Sequence, residues 1–296
     1  MSVTNKLKKQ IKSVPVIKQM VEKRRIRQKF ATEIGLFNGE DPSPSDHPSI
    51  IHYSLNKSAT QYVKKILTKC IRASNMLPVY IQDYAFASQL PYLDTLTVEE
   101  IQPYKHIFKP QGYLYSAFGG MVEGIDNLDQ YRVVLMTRDP RDILVSDYYS
   151  RAYSHPEPPS ISSKNAIFHD LRNQALEQTV DAFAIEHCGS VRDIMLRYRD
   201  QLLTKYPNAY VTKYNDMVTD FDRWLDNLLL ACELEVSATL KNKLSKQHHA
   251  SRPRAEDKNS QLRKGVAGDY KNKLSEKTIA VLNEQLAEVL EYYEFQ

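Results

Sequence analysis

The chain has 296 residues, and 42% of them are hydrophobic, which is enough for the core of one sizeable α/β domain. The formal net charge is only +4, and no segment has 18 continuous apolar residues, so the sequence predicts no transmembrane helix. Three cysteines without C-x-x-C spacing cannot all pair, which favours a reducing, cytoplasmic compartment over a disulfide-linked secreted fold.

Positive charge is concentrated at the start of the chain. Residues 1–30 hold ten Lys or Arg and one acid, whereas the remaining residues carry a net charge of −5. Such an arm can bind acidic lipid headgroups, nucleic acid or an anionic substrate, or remain a solvated helix or tail. We expect a weak peripheral membrane contact and no nucleic-acid partner. Because a turn-rich linker ends at Pro48, we divide the chain into an arm and linker at 1–47 and a single domain at 48–296.

The first predicted α/β unit begins with the strand-like run at residues 49–55, and after Ser58 the apolar residues recur at helical spacing. Lys57 and Ser58 therefore lie on a strand-to-helix turn, where backbone N–H groups, a cation and a hydroxyl can hold a phosphate. A nucleoside-triphosphatase loop, G-x-x-x-x-G-K-[ST], would instead need glycine at Ile51 and Asn56. A surface lysine on an ordinary turn is the simpler alternative.

Short strands are predicted near residues 78–82 and at residues 104–108, followed by a buried strand at residues 131–137. Arg138 follows this third strand, Asp139 is a helix N-cap, and Pro140 suits the first helical position. Ser146 lies eight residues after Arg138, about two helical turns away. A fixed cation, a helix N-terminus and a hydroxyl can hold a phosphate, although Arg138 could simply pair with Asp142.

The remaining chain alternates helices with one further strand. A long loop is predicted at residues 155–163, helices near 179–187 and 189–205, a strand at 209–213, a helix from Phe221, and a last helix that starts at Ser275. The late loop, residues 262–272, has two glycines after Arg263 and Lys264, which suits either an oxyanion site or a solvated basic loop. This alternation predicts a three-layer α/β fold with a central parallel sheet flanked by helices, and anions bound at the carboxyl ends of the strands.

Together, these segments resemble the cytosolic-type sulfotransferases, which use 3'-phosphoadenosine-5'-phosphosulfate (PAPS). The family's phosphosulfate loop, P-K-S-G-T-T-W, is matched by residues 56–62 (NKSATQY). Its Arg-to-Ser segment is matched by Arg138 and Ser146, and its late loop, R-K-G-x-x-G-D-W-K, by residues 263–271. Residues 214–217 (YNDM) are similar to the family's Y-E-D-M, whose Tyr lies near the adenine. The resemblance covers residues 48–292.

The resemblance implies a P-loop NTP-hydrolase-like sulfotransferase fold, PAPS as the donor, the bisphosphate PAP as the product, and no metal. Lys57 would stabilise charge on the leaving oxygen, and Ser146 would restrain that lysine until the acceptor binds. The donor-binding residues implied by the resemblance are Lys57, Ser58, Ala59, Thr60, Gln61, Tyr62, Arg138, Ser146, Tyr214, Arg263, Lys264 and Gly265.

The catalytic base is the least secure part of the match. In the family it belongs to a K-T-H motif, whose best counterpart here is residues 109–111. Lys109 would match the Lys, but Gln111 would replace the His, and glutamine cannot act as a general base. We expect His106 on the same predicted strand, Lys109, or a residue from elsewhere to take the acceptor proton.

The acceptor is expected to be a hydroxyl or amine of a small molecule, lipid or glycan, in a pocket lined by residues 83–104, 110–125 and 150–175. A homodimer is compatible with the sequence. A metal-dependent P-loop kinase is one alternative, and it requires a glycine-rich loop and a carboxylate for Mg²⁺. A non-catalytic nucleotide-binding protein of the same fold is another.

Overall fold

The computed structural model of the protein describes residues 15–157 and 164–296, except 252, 254 and 261. The first 14 residues of the predicted basic arm and residues 158–163 of the predicted long loop therefore lie outside the described residues. Within the described part, no helix is both long and apolar enough to cross a bilayer. Each of the three cysteines is buried and unbridged.

A parallel sheet forms the centre of the fold. Its strands are β1 (Ile50–Ser54), β2 (Leu77–Val79), β3 (Tyr113–Phe118), β4 (Arg132–Thr137) and β5 (Tyr210–Lys213). The strand order is β2-β3-β1-β4-β5, and every neighbouring pair is parallel. The carboxyl ends of β1 and β4 therefore lie next to each other, which brings the loops after these two strands together.

Helices pack on both faces of this sheet. The α-helices of the described residues are α1 (Pro15–Lys29), α2 (Ala31–Phe37), α3 (Thr60–Cys70), α4 (Ile81–Ser88), α5 (Pro140–Tyr149), α6 (Lys164–Leu176), α7 (Val180–Tyr198), α8 (Tyr214–Thr219), α9 (Phe221–Ala231), α10 (Ala238–Ser251), α11 (Tyr270–Lys273), α12 (Glu276–Gln285) and α13 (Ala287–Tyr292). Short 3₁₀ helices include Gln102–Ile107, and π-helical turns follow α5 at Ser150–Ser154 and α7 at Arg199–Leu203.

Alternation along the strands divides the core into two layers. Ile51 and Leu135 belong to the apolar cluster on one face of the sheet, where Tyr198 of α7 also packs. Ile50 and Val134 point to the opposite face and pack with residues of α3 and α9. Because successive strand residues point to opposite faces, these continuous apolar strands require helices on both sides. The predicted three-layer α/β architecture is confirmed.

Several predicted elements have different limits in the structure. The predicted strand at residues 104–108 is wrong, because this segment is the 3₁₀ helix Gln102–Ile107, with Pro103 in its first turn. The helices predicted near 179–187 and 189–205 form one continuous helix, α7, which continues through Gly189 into a π-helical turn. The predicted last helix is divided at Leu286 into α12 and α13. Helix α6 was not predicted.

His52 on the central strand makes the stability of this fold pH-dependent. Its side chain is fully buried, its Nδ1 lies 2.8 Å from Ser116 Oγ, and burial lowers its pKa from 6.5 to about 3. Below pH 6.5 this histidine therefore binds a proton in the unfolded chain but not in the folded chain. As a result, the free energy of unfolding falls as the pH decreases. Between pH 7 and pH 5 we expect a loss of about 2 kcal/mol from this group alone.

Denaturant titrations of the wild-type protein and of His52→Asn at pH 7 and pH 5 measure this loss. The variant should lack the His52 contribution, so the pH-dependent decrease should be about 2 kcal/mol smaller than in the wild type. Parallel decreases in the two proteins would contradict the assignment, whatever the absolute stability of the variant.

Candidate active site

The loop after β1 forms the first part of the site at the carboxyl edge of the sheet. Lys57 and Ala59 both have left-handed backbone conformations, with φ angles of 67° and 61°. Ala59 immediately precedes α3 and adopts a conformation in which glycine would avoid the steric cost of a Cβ atom. Ser58 is buried, and its Oγ has no hydrogen-bond partner among the described residues. The loop thus keeps the turn of an anion-binding loop even though alanine stands where the resembled motif has glycine.

Lys57 reaches from this loop to helix α5 and the turn that follows it. Its Nζ donates a hydrogen bond to Ser150 Oγ at 2.7 Å, and Asp147 Oδ1 lies 3.6 Å from the same nitrogen. Burial lowers the pKa of the Lys57 amine, and the charge of Asp147 opposes this shift. In this structure the hydroxyl that holds Lys57 is therefore that of Ser150, whereas the resemblance implied that of Ser146.

Helical spacing places Ser150 on the side of the helix that borders the cavity. Ile143, Asp147 and Arg151 are separated by four residues each, and all three line the same cavity as Lys57. Arg151 NH2 pairs with Asp147 Oδ2 at 2.7 Å, so Asp147 bridges the two cations. Ser150 lies three residues after Asp147 and so shares its side of the helix.

The neighbouring face of α5 meets the late loop. Asp142 Oδ2 accepts a hydrogen bond from the backbone N–H of Gly268 at 2.8 Å. Tyr149 lies about one turn after Ser146, and the centre of its ring lies 4.4 Å from the Arg263 guanidinium. Asp142, Ser146 and Tyr149 follow the i, i+4, i+7 spacing, so Ser146 lies on the face turned to the late loop, one turn before Ser150.

Arg138 connects the two loops. Its NH1 donates to the backbone oxygen of Lys57 at 2.9 Å, and its NH2 lies 3.5 Å from the backbone oxygen of Val266. The guanidinium also covers the Tyr214 ring at 4.2 Å and lies 3.6 Å from Asp142. Arg138 is 7% exposed, and its Nε has no hydrogen-bond partner among the described residues. One buried arginine thus contacts the first loop, the late loop and Tyr214.

The cations of the late loop are already paired with carboxylates. Arg263 pairs with Glu256 and Asp269, and Lys264 Nζ lies 2.7 Å from Asp269 Oδ1. Gly265, with φ of 67°, sets the turn that follows these two residues. An anion that binds here would compete with Asp269 for the two cations.

The first turn of α3 carries the remaining residues of the resembled loop. Thr60 Oγ1 donates to the backbone oxygen of Leu55 at 3.3 Å, and Gln61 is exposed. Tyr62 OH lies 3.0 Å from Nδ1 of His248, whose ring stacks on Phe221 at 4.1 Å. His248 is buried.

The structure places the expected base candidates away from this edge. His106 Nε2 lies 3.2 Å from the backbone oxygen of Phe37, and Lys109 directs its backbone N–H to a tyrosine hydroxyl. Gln111 forms a bridge with Pro48, at the amino ends of β3 and β1. Strand β3 has six residues, so Gln111 lies about 20 Å from the carboxyl edge. The acceptor proton must therefore be taken by a residue elsewhere if Lys57 marks the site of transfer.

A cavity of about 820 Å³ opens beside Lys57. Its lining consists of Leu55, Asn56, Lys57, Phe86, Tyr92, Ile143, Asp147, Arg151, His155, Ile167, Phe168, Leu171, Arg172, His187, Ser190, Val191 and Ile194. Two of the three predicted lining segments contribute, 83–104 and 150–175, whereas no described residue of 110–125 does. Residues of α7 were not predicted to line it, although their helical spacing could have indicated one common face.

Two histidines, His155 and His187, line this cavity. His187 Nε2 accepts a hydrogen bond from Arg151 NH1 at 3.1 Å. The backbone of His155 is fixed at both ends, since its N–H donates to Ser150 O at 2.7 Å and its oxygen accepts from Arg172 NH2 at 2.8 Å. Burial, followed by the charge of Lys57, lowers the pKa of His155, so its imidazole is neutral at pH 7 and can accept a proton. Among the described residues, no group of three or more His, Cys, Asp or Glu is arranged to hold a metal ion.

The comparisons with known proteins identify the family and the fold of the chain. A family model, the sulfotransferase domain, matches residues 48–293. The structure of mouse sulfotransferase SULT7A1 complexed with PAP is similar, with a TM-score of 0.53 and 15% identity, over 88% of each chain. Retinol dehydratase complexes with PAP and androsterone or retinol give TM-scores of 0.47 and 0.45 at 14% identity, covering 86% of this chain and 83% or 84% of theirs. No curated protein matches the chain significantly. The chain therefore belongs to the sulfotransferase domain family.

Proposed function

We propose that this sulfotransferase moves the sulfuryl group of PAPS, in line, to a hydroxyl or amine of a small acceptor held in the cavity beside Lys57. The observation that carries the proposal is the meeting of Lys57, Arg138 and the late loop at one edge of the sheet, directly next to a largely apolar cavity. Two groups of cations would then serve the two anionic ends of one nucleotide, the 5'-phosphosulfate and the 3'-phosphate.

The polar groups of this edge fit such a nucleotide. Ser58 Oγ and Arg138 Nε are buried groups without a described hydrogen-bond partner, and a phosphate or sulfate oxygen would supply one. We assign the 5' end of PAPS to residues 57–60. The 3'-phosphate is assigned to Arg138, Ser146 and the late-loop residues 263–265, and the adenine to the neighbourhood of Gln61, Tyr62 and Tyr214.

When bound, PAPS supplies the sulfuryl group and a phosphate leaving group. Lys57 would stabilise the charge that develops on the oxygen between them, because its amine is fixed at a partly buried position beside the loop N–H groups. Its hydrogen bond to Ser150 Oγ and its proximity to Asp147 hold the amine at the cavity wall. Residues of α5 thus position Lys57 between donor and acceptor.

We assign the acceptor proton to a ring nitrogen of His155. His155 lines the cavity, is linked to Lys57 through Ser150, and is neutral at pH 7 because burial and nearby cations lower its pKa. His187 is a weaker candidate, since its Nε2 already accepts from Arg151. General bases of this kind need a pKa near or below the working pH and a position within reach of the acceptor.

The partners that we propose follow the sequence-based expectations. A small-molecule acceptor suits this cavity better than a glycan, because most of the lining surface is apolar. A cytoplasmic location, a weak membrane contact through the basic arm and a homodimer remain proposals.

Binding of the product PAP tests the assigned donor site without any acceptor. PAP at a hundredfold excess over its dissociation constant should raise Tm by about 5 °C or more. Adenosine 5'-phosphate at the same concentration should raise it far less, because it lacks the 3'-phosphate that Arg138 and the late loop would bind. Differential scanning fluorimetry measures both shifts.

Arg138→Gln should remove most of the advantage of PAP over adenosine 5'-phosphate. Arg132→Gln is a matched control, because Arg132 lies at the opposite end of the same strand and pairs with Glu233 at 2.8 Å. Equal shifts for the two nucleotides in the wild-type protein would contradict a 3'-phosphate site.

A further inference from the structure

We propose that the acceptor carries an anionic group, such as a carboxylate, on an apolar body, and that Arg172 binds this group. The inference rests on the proposed function, since it takes the cavity beside Lys57 as the acceptor site. It goes further by naming the chemical class of the acceptor and the residue that selects it.

The described lining of the cavity has an excess of positive charge. Lys57, Arg151 and Arg172 contribute cations, and Asp147 is the carboxylate among the lining residues. Asp147 lies 2.7 Å from Arg151 and 3.6 Å from Lys57, so its charge is shared between these two. Lys57 would in addition face the anionic donor. The charge of Arg172 therefore has no counterpart in the lining.

Arg172 is held in place by groups that do not neutralise it. Its Nε donates to the backbone oxygen of Arg151 at 3.2 Å, and its NH2 donates to that of His155 at 2.8 Å. Its guanidinium lies 4.4 Å from the centre of the Phe168 ring, a second lining residue. These bonds use two of the five N–H donors of a guanidinium, whose planar fork matches a carboxylate.

Glu157, an acidic residue outside the lining, is hydrogen-bonded by other residues. Glu157 is close enough for the charge of Arg172 to lower its pKa, but hydrogen bonds from Asn165 and His169 account for most of that shift. The Glu157 carboxylate lies 3.2 Å from Asn165 Nδ2 and 3.0 Å from His169 Nε2. It is exposed, so its attraction for Arg172 is weakened by solvent.

The two imidazoles of the cavity report the same positive field. The pKa of His155 is lowered by burial and by Lys57, Arg172 and Arg151, with Asp147 opposing. The pKa of His187 is lowered by burial and by Arg151, with Glu186 and Asp147 opposing. Both rings are therefore neutral near pH 7, and a bound anion would find net positive charge around it.

The rest of the lining selects an apolar body. Phe86, Ile167, Leu171 and Ile194 line the cavity with their side chains partly exposed, Ile167 to 60%. Covering these side chains would remove apolar surface from water, which favours binding. A cavity of about 820 Å³ accommodates a drug-sized molecule of this kind.

Isothermal titration calorimetry on the full chain saturated with PAP tests this inference with two matched sets of probes. One set is 3-(4-hydroxyphenyl)propanoate, the corresponding alcohol and the corresponding amine. The other is 12-hydroxydodecanoate, 1,12-dodecanediol and 12-aminododecan-1-ol. In at least one set, the anion should bind about tenfold or more tightly than the neutral alcohol, and the amine most weakly.

Arg172→Gln should abolish this preference, whereas Arg172→Lys should keep part of it because the charge remains. Arg192→Gln, which removes an exposed arginine paired with Asp193, should leave it unchanged. Equal affinities for anion and alcohol, or no binding of any probe to a protein that binds PAP, would overturn the inference alone. A protein that does not bind PAP would instead overturn the proposed function.

Discussion

Replacing Lys57 by alanine is expected to lower kcat by about 10²–10³-fold. The amine lies at the carboxyl edge of β1, donates to Ser150 Oγ at 2.7 Å and borders the cavity. No other described cation holds the same position, because Arg151 is paired with Asp147 and Arg138 is buried beneath the loop. Loss of one preorganised donor at a developing negative charge typically costs about 2.7–4 kcal/mol in the transition state.

A mass-spectrometric screen of candidate compounds first identifies an acceptor that gains one sulfuryl group. The rate of PAP formation from PAPS is then measured with this acceptor, and the rate without acceptor serves as the blank. Lys69→Ala is the matched control, since Lys69 lies on α3, is half-buried and donates to Gln247 at 2.8 Å. The control should keep wild-type kcat. Both variants should keep a PAP-induced rise in Tm, because Arg138 and the late loop remain. A Lys57→Ala enzyme with wild-type kcat would contradict the proposed role.

Local sequence patterns were sufficient for the sheet and for the edge at which the loops meet. Residues 49–55 and 131–137 are continuous apolar runs followed by helix starts, and each forms a strand whose following loop enters the site. Asp139 and Pro140 predicted the start of α5, where the Asp139 side chain accepts from the backbone N–H of Arg141. Parallel pairing then brings Lys57 and Arg138 together, because β1 and β4 are neighbours.

The roles of individual side chains were harder to predict. Ser146 matches the resembled motif, but in the structure the hydroxyl of Ser150 holds Lys57. Which hydroxyl meets Lys57 depends on how α5 packs. Ile143 and Asp147 indicate Ser150 only once it is known that they line the cavity. His106 was expected on a strand at residues 104–108. In the structure this segment is a 3₁₀ helix near α2. Its conformation depends on tertiary contacts, which the periodicity of the sequence does not show.

His155 had no sequence signal, because it lies in a turn after α5 and its approach to Lys57 depends on tertiary packing. The π-helical turn Ser150–Ser154 closes with the hydrogen bond from the His155 N–H to Ser150 O. Arg172, from the unpredicted helix α6, then fixes the other side of this backbone. The cavity therefore forms only when α5, α6 and α7 pack together. Local sequence patterns of single segments cannot predict it.

Replacing His155 by alanine is expected to lower kcat by about 10²–10⁴-fold for an alcohol acceptor. The pKa of His155 is lowered by burial and by Lys57, so the ring is an effective base at pH 7 and loses this capacity only when the pH falls through its lowered pKa. The wild-type pH profile should therefore show an acidic limb below pH 6.5, and the variant should lack it. Steady-state kinetics from pH 5 to pH 8 would measure both profiles.

A structural role for His155 would predict a different outcome. If His155 takes the proton, 4-nitrophenol should lose much less rate in the variant than an aliphatic alcohol, because this phenol ionises readily without a base. Added imidazole should restore part of the rate with the alcohol, while PAP binding stays unchanged. His187→Ala is the matched control, since His187 Nε2 accepts from Arg151, and this variant should keep the acidic limb. Equal losses for the two acceptors, with no effect of imidazole, would assign His155 to the structure of the turn and leave the proton to another group.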